Sequence, residues 1–234
     1  MKRHTAVRQL SRVAGLCVSL ALATSPALAA KDPPPEVSPE GLHLTKSTKT
    51  RVVYVRPGAT FSQYGRVAIL DPLVEFEKDW QKDYNRSRSG LEGRVSDDDV
   101  AKMKERLGAE FKKIFIAELQ GKGGYQVVDV AGPDVLVLRP ALLNVEVNAP
   151  DIMTSGIEHT VVRSAGQMTL YLELWDSASN TLLARVMDAQ ADPDTMRQMG
   201  GSVTNKAAAD RILRDWASEL RERLDEVRAK PATP

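Results

Sequence analysis

Four side chains of the types found at binding hot spots lie close together between residues 77 and 95: Trp80, Tyr84, Arg86 and Arg88. Aromatic and arginine side chains often provide most of the binding energy at protein interfaces. The segment is rich in charge and contains two glycines, which predicts a mobile surface loop. We therefore expect this loop to carry the contact with a partner. The alternative is that Trp80 packs beneath its own loop while the arginines are solvated.

Residues suited to metal binding or nucleophilic catalysis are few. The chain has three histidines and one cysteine, and neither His43 nor His159 has a second histidine at helical spacing. The sequence contains no Gly-x-Ser-x-Gly nucleophile motif and no glycine-rich nucleotide-binding motif. We therefore expect no catalytic residue, no metal site and no cofactor, and we expect that the protein is not an enzyme.

Two groups of aspartates have the composition of a cation site. Residues 97–99 are consecutive aspartates directly after Ser96, and in the first turn of a helix their side chains point in different directions. They favour a helix N-terminus, where carboxylates complement the helix dipole. Asp192 and Asp194 flank Pro193, which is typical of a turn.

The N-terminal 29 residues have the three parts of a secretory signal peptide. They contain four basic residues and no acidic one, followed by an apolar run over residues 13–23 and small residues around position 29. This run is shorter than the roughly 20 residues that a membrane span needs. We predict cleavage between Ala29 and Ala30 and export to the periplasm. Cys17 lies inside the apolar run instead of at the cleavage point, so we expect no lipid anchor.

The charge balance gives no indication of a nucleic-acid or membrane partner. The formal net charge of the chain is +1, and loss of the four basic residues of the signal takes it to −3. Such a balance produces no strong field of a single sign. We expect no binding to nucleic acid. No later apolar stretch reaches membrane-spanning length, so we also expect no membrane span after cleavage.

Composition divides the remaining chain into three parts. Residues 30–50 are proline-rich and mostly polar, which predicts a flexible tether. Residues 51–228 have the length of one domain with one core. Residues 229–234 are predicted to form a loose C-terminal tail.

Short aliphatic and β-branched runs predict the strands. Residues 51–55 form one strand, and residues 66–76 form one long, bent strand that continues past Pro72. Four further strands are predicted at residues 125–130, 134–147, 167–175 and 181–191. The turn residues at 176–180 predict that the last two strands form a hairpin.

Two amphipathic helices complete the predicted elements. The first begins at the cap residue Ser96 and ends before Gly121, and the second covers residues 203–228. Phe111 lies on the apolar face of the first helix and Trp216 on that of the second. We therefore predict an α+β fold, with a mostly antiparallel sheet of about five to six strands packed against two helices.

Several turns and strands form a pattern over residues 40–225: Gly41-Leu42, Tyr54-Val55-Arg56-Pro57-Gly58, Tyr64 with residues 66–70, and residues 166–174 with Asp176-Ser177 and Leu182-Leu183-Ala184. This pattern resembles the domain-of-unknown-function family numbered 3313, a set of bacterial envelope proteins that are often described as lipoproteins. The resemblance implies a location and a fold, but no activity and no site residue. The chain departs from the lipoprotein pattern because its cleavage point has no cysteine.

We interpret the chain as an exported, non-catalytic binding or interaction module of the periplasm, whose partner is another envelope protein or component. One alternative is a carrier of a small ligand, which requires an apolar pocket with inward polar groups between helix and sheet. The other alternative is a hydrolase that uses carboxylates alone, which requires two of them about 5 to 9.5 Å apart across a cleft.

Overall fold

Ten strands and three helices occur in the residues that the computed structural model describes, which are 33–87, 93–147, 160–162, 166–191, 198–200 and 202–229. The strands are β1 (His43–Ser47), β2 (Arg51–Val55), β3 (Arg66–Ile69), β4 (Leu73–Phe76), β5 (Gln126–Val127), β6 (Val135–Val147), β7 (Thr160–Val162), β8 (Gly166–Asp176), β9 (Thr181–Ala191) and β10 (Gln198–Gly200). The helices are α1 (Trp80–Arg86), α2 (Asp97–Gln120) and α3 (Ser202–Ala229). The predicted signal peptide with Ala29 and Ala30 lies outside the described residues, as does the predicted tail beyond residue 229.

Eight of these strands form one sheet, in the order β1-β2-β9-β8-β6-β3-β5, with β4 paired to β6 further along that strand. The pairings from β1 to β6 are antiparallel, whereas β3 and β4 run parallel to β6. Strands β7 and β10 form a separate antiparallel pair. The predicted α+β class with a mostly antiparallel sheet is confirmed, but the sheet is wider than the five to six strands expected.

Two strand predictions need correction. The bent strand predicted at residues 66–76 is divided into β3 and β4, because Pro72 between them lacks the amide that would continue the pairing. The strand predicted at residues 125–130 is reduced to β5, which has two residues. The predicted hairpin of β8 and β9 is confirmed, and Asn180 in its turn has a positive φ of 52°.

Helix α2 begins at its predicted cap. The Oγ of Ser96 accepts a hydrogen bond from the Asp99 amide at 3.2 Å, and the Asp99 carboxylate accepts one from the Ser96 amide at 3.0 Å. This capping box confirms that the aspartates at 97–99 form a helix N-terminus. Further along α2, Phe111 and Phe115 are fully buried and stack with ring centroids 3.9 Å apart. No described helix has the length and apolarity of a membrane span.

The segment at residues 77–95, predicted to be a mobile loop, contains the short helix α1. Gln81 and Asn85, one turn apart on α1, both donate to the carbonyl oxygen of Val95, at 3.1 and 2.8 Å. The Val95 amide in turn donates to Asn85 at 2.8 Å. These bonds satisfy both the amide and the carbonyl oxygen of Val95, and they fasten α1 to the backbone just before α2.

The segment at residues 30–50, predicted to be a flexible tether, contributes the edge strand β1. Leu42 within it is fully buried and packs with Tyr54 and Leu182. Burial of this leucine offsets part of the entropy cost of ordering a proline-rich segment. Residues Pro34–Pro234 form one compact unit, so the domain begins well before residue 51.

Two helices are too narrow to cover this sheet. Helices α2 and α3 share one hydrophobic core with the inward face of β8. A helix with its side chains is about 10 Å wide and strands lie about 4.8 Å apart, so two helices cover about four strands. The sheet is seven strands across. The helix-facing side of β1 and β2 therefore stays open beside α3, and a groove forms there.

Candidate functional site

A groove lies between α3 and the strands β1, β2, β8 and β9, and we call it the α3 groove. Its volume is about 450 Å³, within the range of about 300 to 1,000 Å³ that is typical of small-molecule sites. The apolar lining residues are Val53, Val55, Phe61, Leu170, Leu172, Leu174, Ala184, Val186, Trp216, Leu220, Leu224 and Val227. The polar lining residues are Thr45, Lys46, Arg51, Asp188, Glu219 and Arg223.

The floor of the groove follows from strand alternation. Val53 of β2 lies opposite Val186 of β9, and both face α3. Successive residues of a strand point to opposite faces of the sheet. Val52 therefore points to the other face, where it lies opposite Met187. The floor thus includes the half-buried β-branched side chains of Val53 and Val186, next to the buried core under α3.

One flank of α3 forms the wall. Leu220, Leu224 and Val227 lie at positions i, i+4 and i+7, which places them in one stripe along the helix. Leu224 is buried against the sheet, whereas Leu220 and Val227 are only half-buried. The apolar stripe therefore extends beyond the area that the sheet covers, and its outer edge faces the groove.

One end of the groove is polar, because an arginine there connects β2 to β9 and to α3. Arg51 Nη2 donates to Asp188 Oδ2 at 2.7 Å, and Arg51 Nη1 donates to Glu219 Oε1. Trp216 Nε1 donates to the same oxygen of Asp188 at 2.7 Å. Since Trp216 and Glu219 belong to α3, these bonds tie the helix to the sheet at this end.

The carboxylate of Asp188 stays ionised despite its burial. The side chain is 3 % exposed. Burial raises its pKa, but hydrogen bonds from Arg51, Gln190 and Trp216 outweigh burial and hold the pKa below its ordinary value. The hydrogen bond to Asp188 raises the pKa of Arg51. An acid with a lowered pKa does not retain the proton that a general acid must donate at neutral pH.

The strand pattern contains a signal for this ion pair. Ala184, Val186 and Asp188 occupy successive positions on one face of β9, so that an aspartate stands in a buried row. Arg51 occupies the position opposite Asp188 in β2. A buried charge requires a partner, and two inward positions of opposite sign therefore predict an ion pair.

Trp80, one of the four residues predicted to bind a partner, holds α1 against the sheet, and Tyr84, another of them, stacks on Trp80. Trp80 is 8 % exposed, and its Nε1 donates to the carbonyl oxygen of Val147 at 3.0 Å. Its ring packs against Phe76 with centroids 4.6 Å apart and stacks with Tyr84 at 5.8 Å. Trp80 thus has a structural role, as in the alternative considered for the sequence.

The two arginines of the predicted group lie differently. Arg86 is exposed at the end of α1 and pairs with Asp83 at 2.8 Å. Arg88 lies outside the described residues. Contact of this group with a partner therefore stays a prediction, and Arg86 is the member that the structure shows to be accessible.

A second ion-pair cluster lies on the face of the sheet opposite the helices. Glu173 of β8 accepts hydrogen bonds from Arg185 at 2.9 Å, from Tyr171 at 2.8 Å and from Trp175 at 3.1 Å. Arg185 also donates to Glu40 at 2.9 Å, which lowers the pKa of Glu40 to about 2. The cluster therefore fastens the N-terminal segment to the sheet.

The residues weighed as metal ligands are not brought together. No group of three or more His, Cys, Asp or Glu side chains within the described ranges is placed to hold a metal ion. His43 is exposed in β1, whereas His159, Asp192 and Asp194 lie outside those ranges. The expectation of no metal for the whole chain stays a prediction.

Comparison of the sequence with models of protein families identifies the family of this chain. A family model for proteins of unknown function, DUF3313, matches residues 37–220. The chain therefore belongs to the DUF3313 family, as its turns and strands predicted. The match extends from before β1 to Leu220 in α3, and so includes both ends of the Arg51–Asp188 ion pair. No curated protein matches the sequence.

Several solved structures are similar to this chain, at low scores. The PelC dodecamer from Paraburkholderia phytofirmans has 9% identity and a TM-score of 0.36, over 73% of this chain and 98% of that chain. Protein XCC0632 from Xanthomonas campestris has 13% identity and a TM-score of 0.37, over 73% and 89%. A homologue of neuraminyllactose-binding hemagglutinin from Helicobacter pylori has 10% identity and a TM-score of 0.31, over 71% and 90%. At these scores the similarities assign no function to this chain.

Proposed function

We propose that this protein is an exported, non-catalytic binding protein that holds the hydrocarbon chain of a small amphiphile in the α3 groove. The observation that carries the proposal is the groove itself, which is apolar along its floor and along one stripe of α3 and polar at one end and at its outer rim. Ligand sites commonly combine an apolar lining with a few placed polar groups. A small-ligand carrier is one alternative that the sequence leaves open, and such a carrier requires an apolar pocket with polar groups between helix and sheet. The α3 groove has this combination.

The shape of the groove favours an extended chain as its occupant. The lining residues on α3 extend from Trp216 to Val227, which at a helical rise of 1.5 Å per residue is about 16 Å. An apolar stripe of this length along one helix matches an extended hydrocarbon chain. A compact or planar ligand of the same volume would need a shorter and wider site.

The N-terminal sequence supports a location in the envelope. The basic head, short apolar run and small residues before Ala30 are the parts of a signal peptide that directs export to the periplasm. Amphiphiles with one or more hydrocarbon chains are components of every membrane. The partner that we propose is therefore an amphiphile of the envelope. The groove holds the hydrocarbon chain of this amphiphile.

The acids of the groove support a non-catalytic role over the carboxylate hydrolase. Hydrolysis by two carboxylates needs one of them protonated as the general acid, with a raised pKa. Asp188 and Glu219 instead both accept hydrogen bonds from Arg51. Hydrogen bonding moves the pKa of Asp188 downward despite burial. Their arrangement stabilises the attachment of α3 to the sheet.

Titration with the uncharged fluorophore N-phenyl-1-naphthylamine tests the groove without regard to charge. We expect saturable binding of one probe per protein. Val53→Trp places a large ring on the groove floor, so it should weaken probe binding by at least about tenfold. Val52→Trp is the matched control, because the neighbouring side chain points to the opposite face of the sheet.

Two results would contradict the proposal. One is the absence of saturable probe binding to the folded wild-type protein. The other is equal affinity of Val53→Trp and wild type, which would place the probe elsewhere. Circular dichroism of each variant confirms that the fold is retained.

A further inference from the structure

We infer that the ligand carries an anionic head, which lies between Lys46 of β1 and Arg223 of α3 at the outer rim of the α3 groove. The inference rests on the proposed function and specifies its ligand. The chemical class is a single hydrocarbon chain that ends in a carboxylate or a phosphate. Both heads share the negative charge and the acceptor oxygens that lysine and arginine recognise.

A β-bulge directs Lys46 to the groove. Leu44 lies opposite Tyr54, but after the bulge Lys46 lies opposite Val53. In regular pairing Lys46 would lie opposite Val52 and would share its face, which is the one away from α3. The extra residue therefore brings the ammonium group to the groove side of the sheet. Bulges are frequent next to binding sites because they re-aim a side chain in this way.

Helical spacing directs Arg223 to the same rim. Glu219 on α3 reaches Arg51 of β2 across the polar end of the groove. Arg223 follows Glu219 by four residues, so it lies on the same side of α3, about 6 Å further along the helix axis. Arg223 Nη1 donates to Glu226 at 3.0 Å, in a pair whose side chains are 63% and 56% exposed. An exposed pair of this kind is weak, and the guanidinium has further donors.

The charges of the groove favour an anion over a cation. Its lining contains three cations, Lys46, Arg51 and Arg223, and two anions, Asp188 and Glu219. Both anions are bound to Arg51, so neither is available to a cationic head without breaking an ion pair. Among the described residues no carboxylate forms an ion pair with Lys46. The rim therefore offers two positive groups to a ligand and no unpaired negative one.

A competition experiment tests the inference. Four ligands that share the same hydrocarbon chain and differ in their head groups compete with bound N-phenyl-1-naphthylamine. The ligands are dodecanoate, dodecyl phosphate, dodecanol and dodecyltrimethylammonium, all below the concentrations at which they form micelles. We expect one or both anionic ligands to bind at least about fivefold more tightly than dodecanol, and the cationic ligand to bind most weakly. A lower dissociation constant for dodecanoate identifies a carboxylate head, and a lower one for dodecyl phosphate identifies a phosphate head.

Charge reversal at the rim of the groove provides a second test of the inference. The double variant Lys46→Glu with Arg223→Glu should weaken dodecanoate and dodecyl phosphate by at least about fivefold, while binding of the uncharged probe stays within about twofold. Lys46→Gln with Arg223→Gln should give a smaller loss in the same direction. The control is Lys49→Glu with Arg214→Glu, which makes the same change in net charge at residues that do not line the groove.

The outcomes separate the two proposals. Equal affinity for anionic, neutral and cationic chains, or unchanged dodecanoate binding in the rim variant, overturns the inference while the groove remains a binding site. Loss of dodecanoate binding in the control variant as large as in the rim variant also overturns it, because net charge would then explain the effect. Failure of the wild-type protein to bind the uncharged probe contradicts the proposed function itself.

Discussion

Replacement of Asp188 by asparagine tests how α3 is fastened to the sheet. The substitution keeps the size of the side chain and an oxygen that can accept the Trp216 hydrogen bond, but it removes the charge that Arg51 faces at 2.7 Å. The Asp188 side chain is 3 % exposed and that of Arg51 is 19 % exposed, so water replaces the lost partner of Arg51 only in part. Removal of one member of a buried ion pair costs about 3 to 5 kcal/mol. Because Glu219 still binds Arg51, we expect the lower end, about 3 kcal/mol.

The effect should depend on pH in a defined direction. Hydrogen bonds hold the pKa of Asp188 in the folded protein below its ordinary value. An acid with a lowered pKa stabilises the fold at pH values above its unfolded pKa of about 3.9, and this stabilisation is lost as the pH falls through the folded pKa. The difference in stability between wild type and Asp188→Asn should therefore be constant between about pH 6 and 8 and decrease below about pH 4.

Urea unfolding followed by far-UV circular dichroism measures this difference. Asp215→Asn, at an exposed position of the same helix, is the control and should change stability by less than about 0.5 kcal/mol. A loss of less than about 1 kcal/mol for Asp188→Asn at pH 7 would refute the reasoning, because the ion pair would then not fasten the helix. If the difference in stability between wild type and Asp188→Asn stayed the same on acidification, the charge of Asp188 would not be its cause.

Three further predictions concern other parts of the chain. Phe111→Ala should lower the free energy of unfolding in urea by about 3 to 5 kcal/mol, because the ring is fully buried; a loss under about 1 kcal/mol would contradict its place in the core. Trp80→Ala should lower the free energy of unfolding by about 3 kcal/mol in the same assay, whereas Arg86→Ala, at an exposed position, should change it by less than about 0.5 kcal/mol. Equal effects of the two substitutions would contradict the structural role of Trp80. Mass spectrometry of the exported protein should find Ala30 at its N-terminus without added lipid, and a full-length or lipid-modified product would contradict the predicted signal peptide.

The main elements could be predicted because their signals are local. The cap at Ser96 and the apolar spacing around Phe111 define α2, and the turn before Thr181 defines the hairpin of β8 and β9. In these places the residues that determine an element are neighbours in sequence. Composition or periodicity alone therefore suffices.

The remaining structure depends on contacts between distant residues. Polar composition predicted a loop where α1 forms, because the bonds that order this segment join residues 10 to 14 positions apart. Proline content predicted a tether at residues 30–50, because the burial of Leu42 against Tyr54 and Leu182 has no local signal. Arg51 and Asp188 carry a signal in the strand alternation, but the bulge that turns Lys46 toward the groove can be seen only in the paired strands.

Methyl NMR of the protein with dodecanoate tests the central claim most directly. The account predicts chemical-shift changes and intermolecular contacts for Val53, Val186 and Leu220, which line the α3 groove, while the methyl groups of Val52 and Met187 on the opposite face stay unchanged. Saturation should occur at one ligand per protein. Changes centred on Val52 and Met187, or the absence of any saturable change, would contradict the assignment of the α3 groove as the binding site.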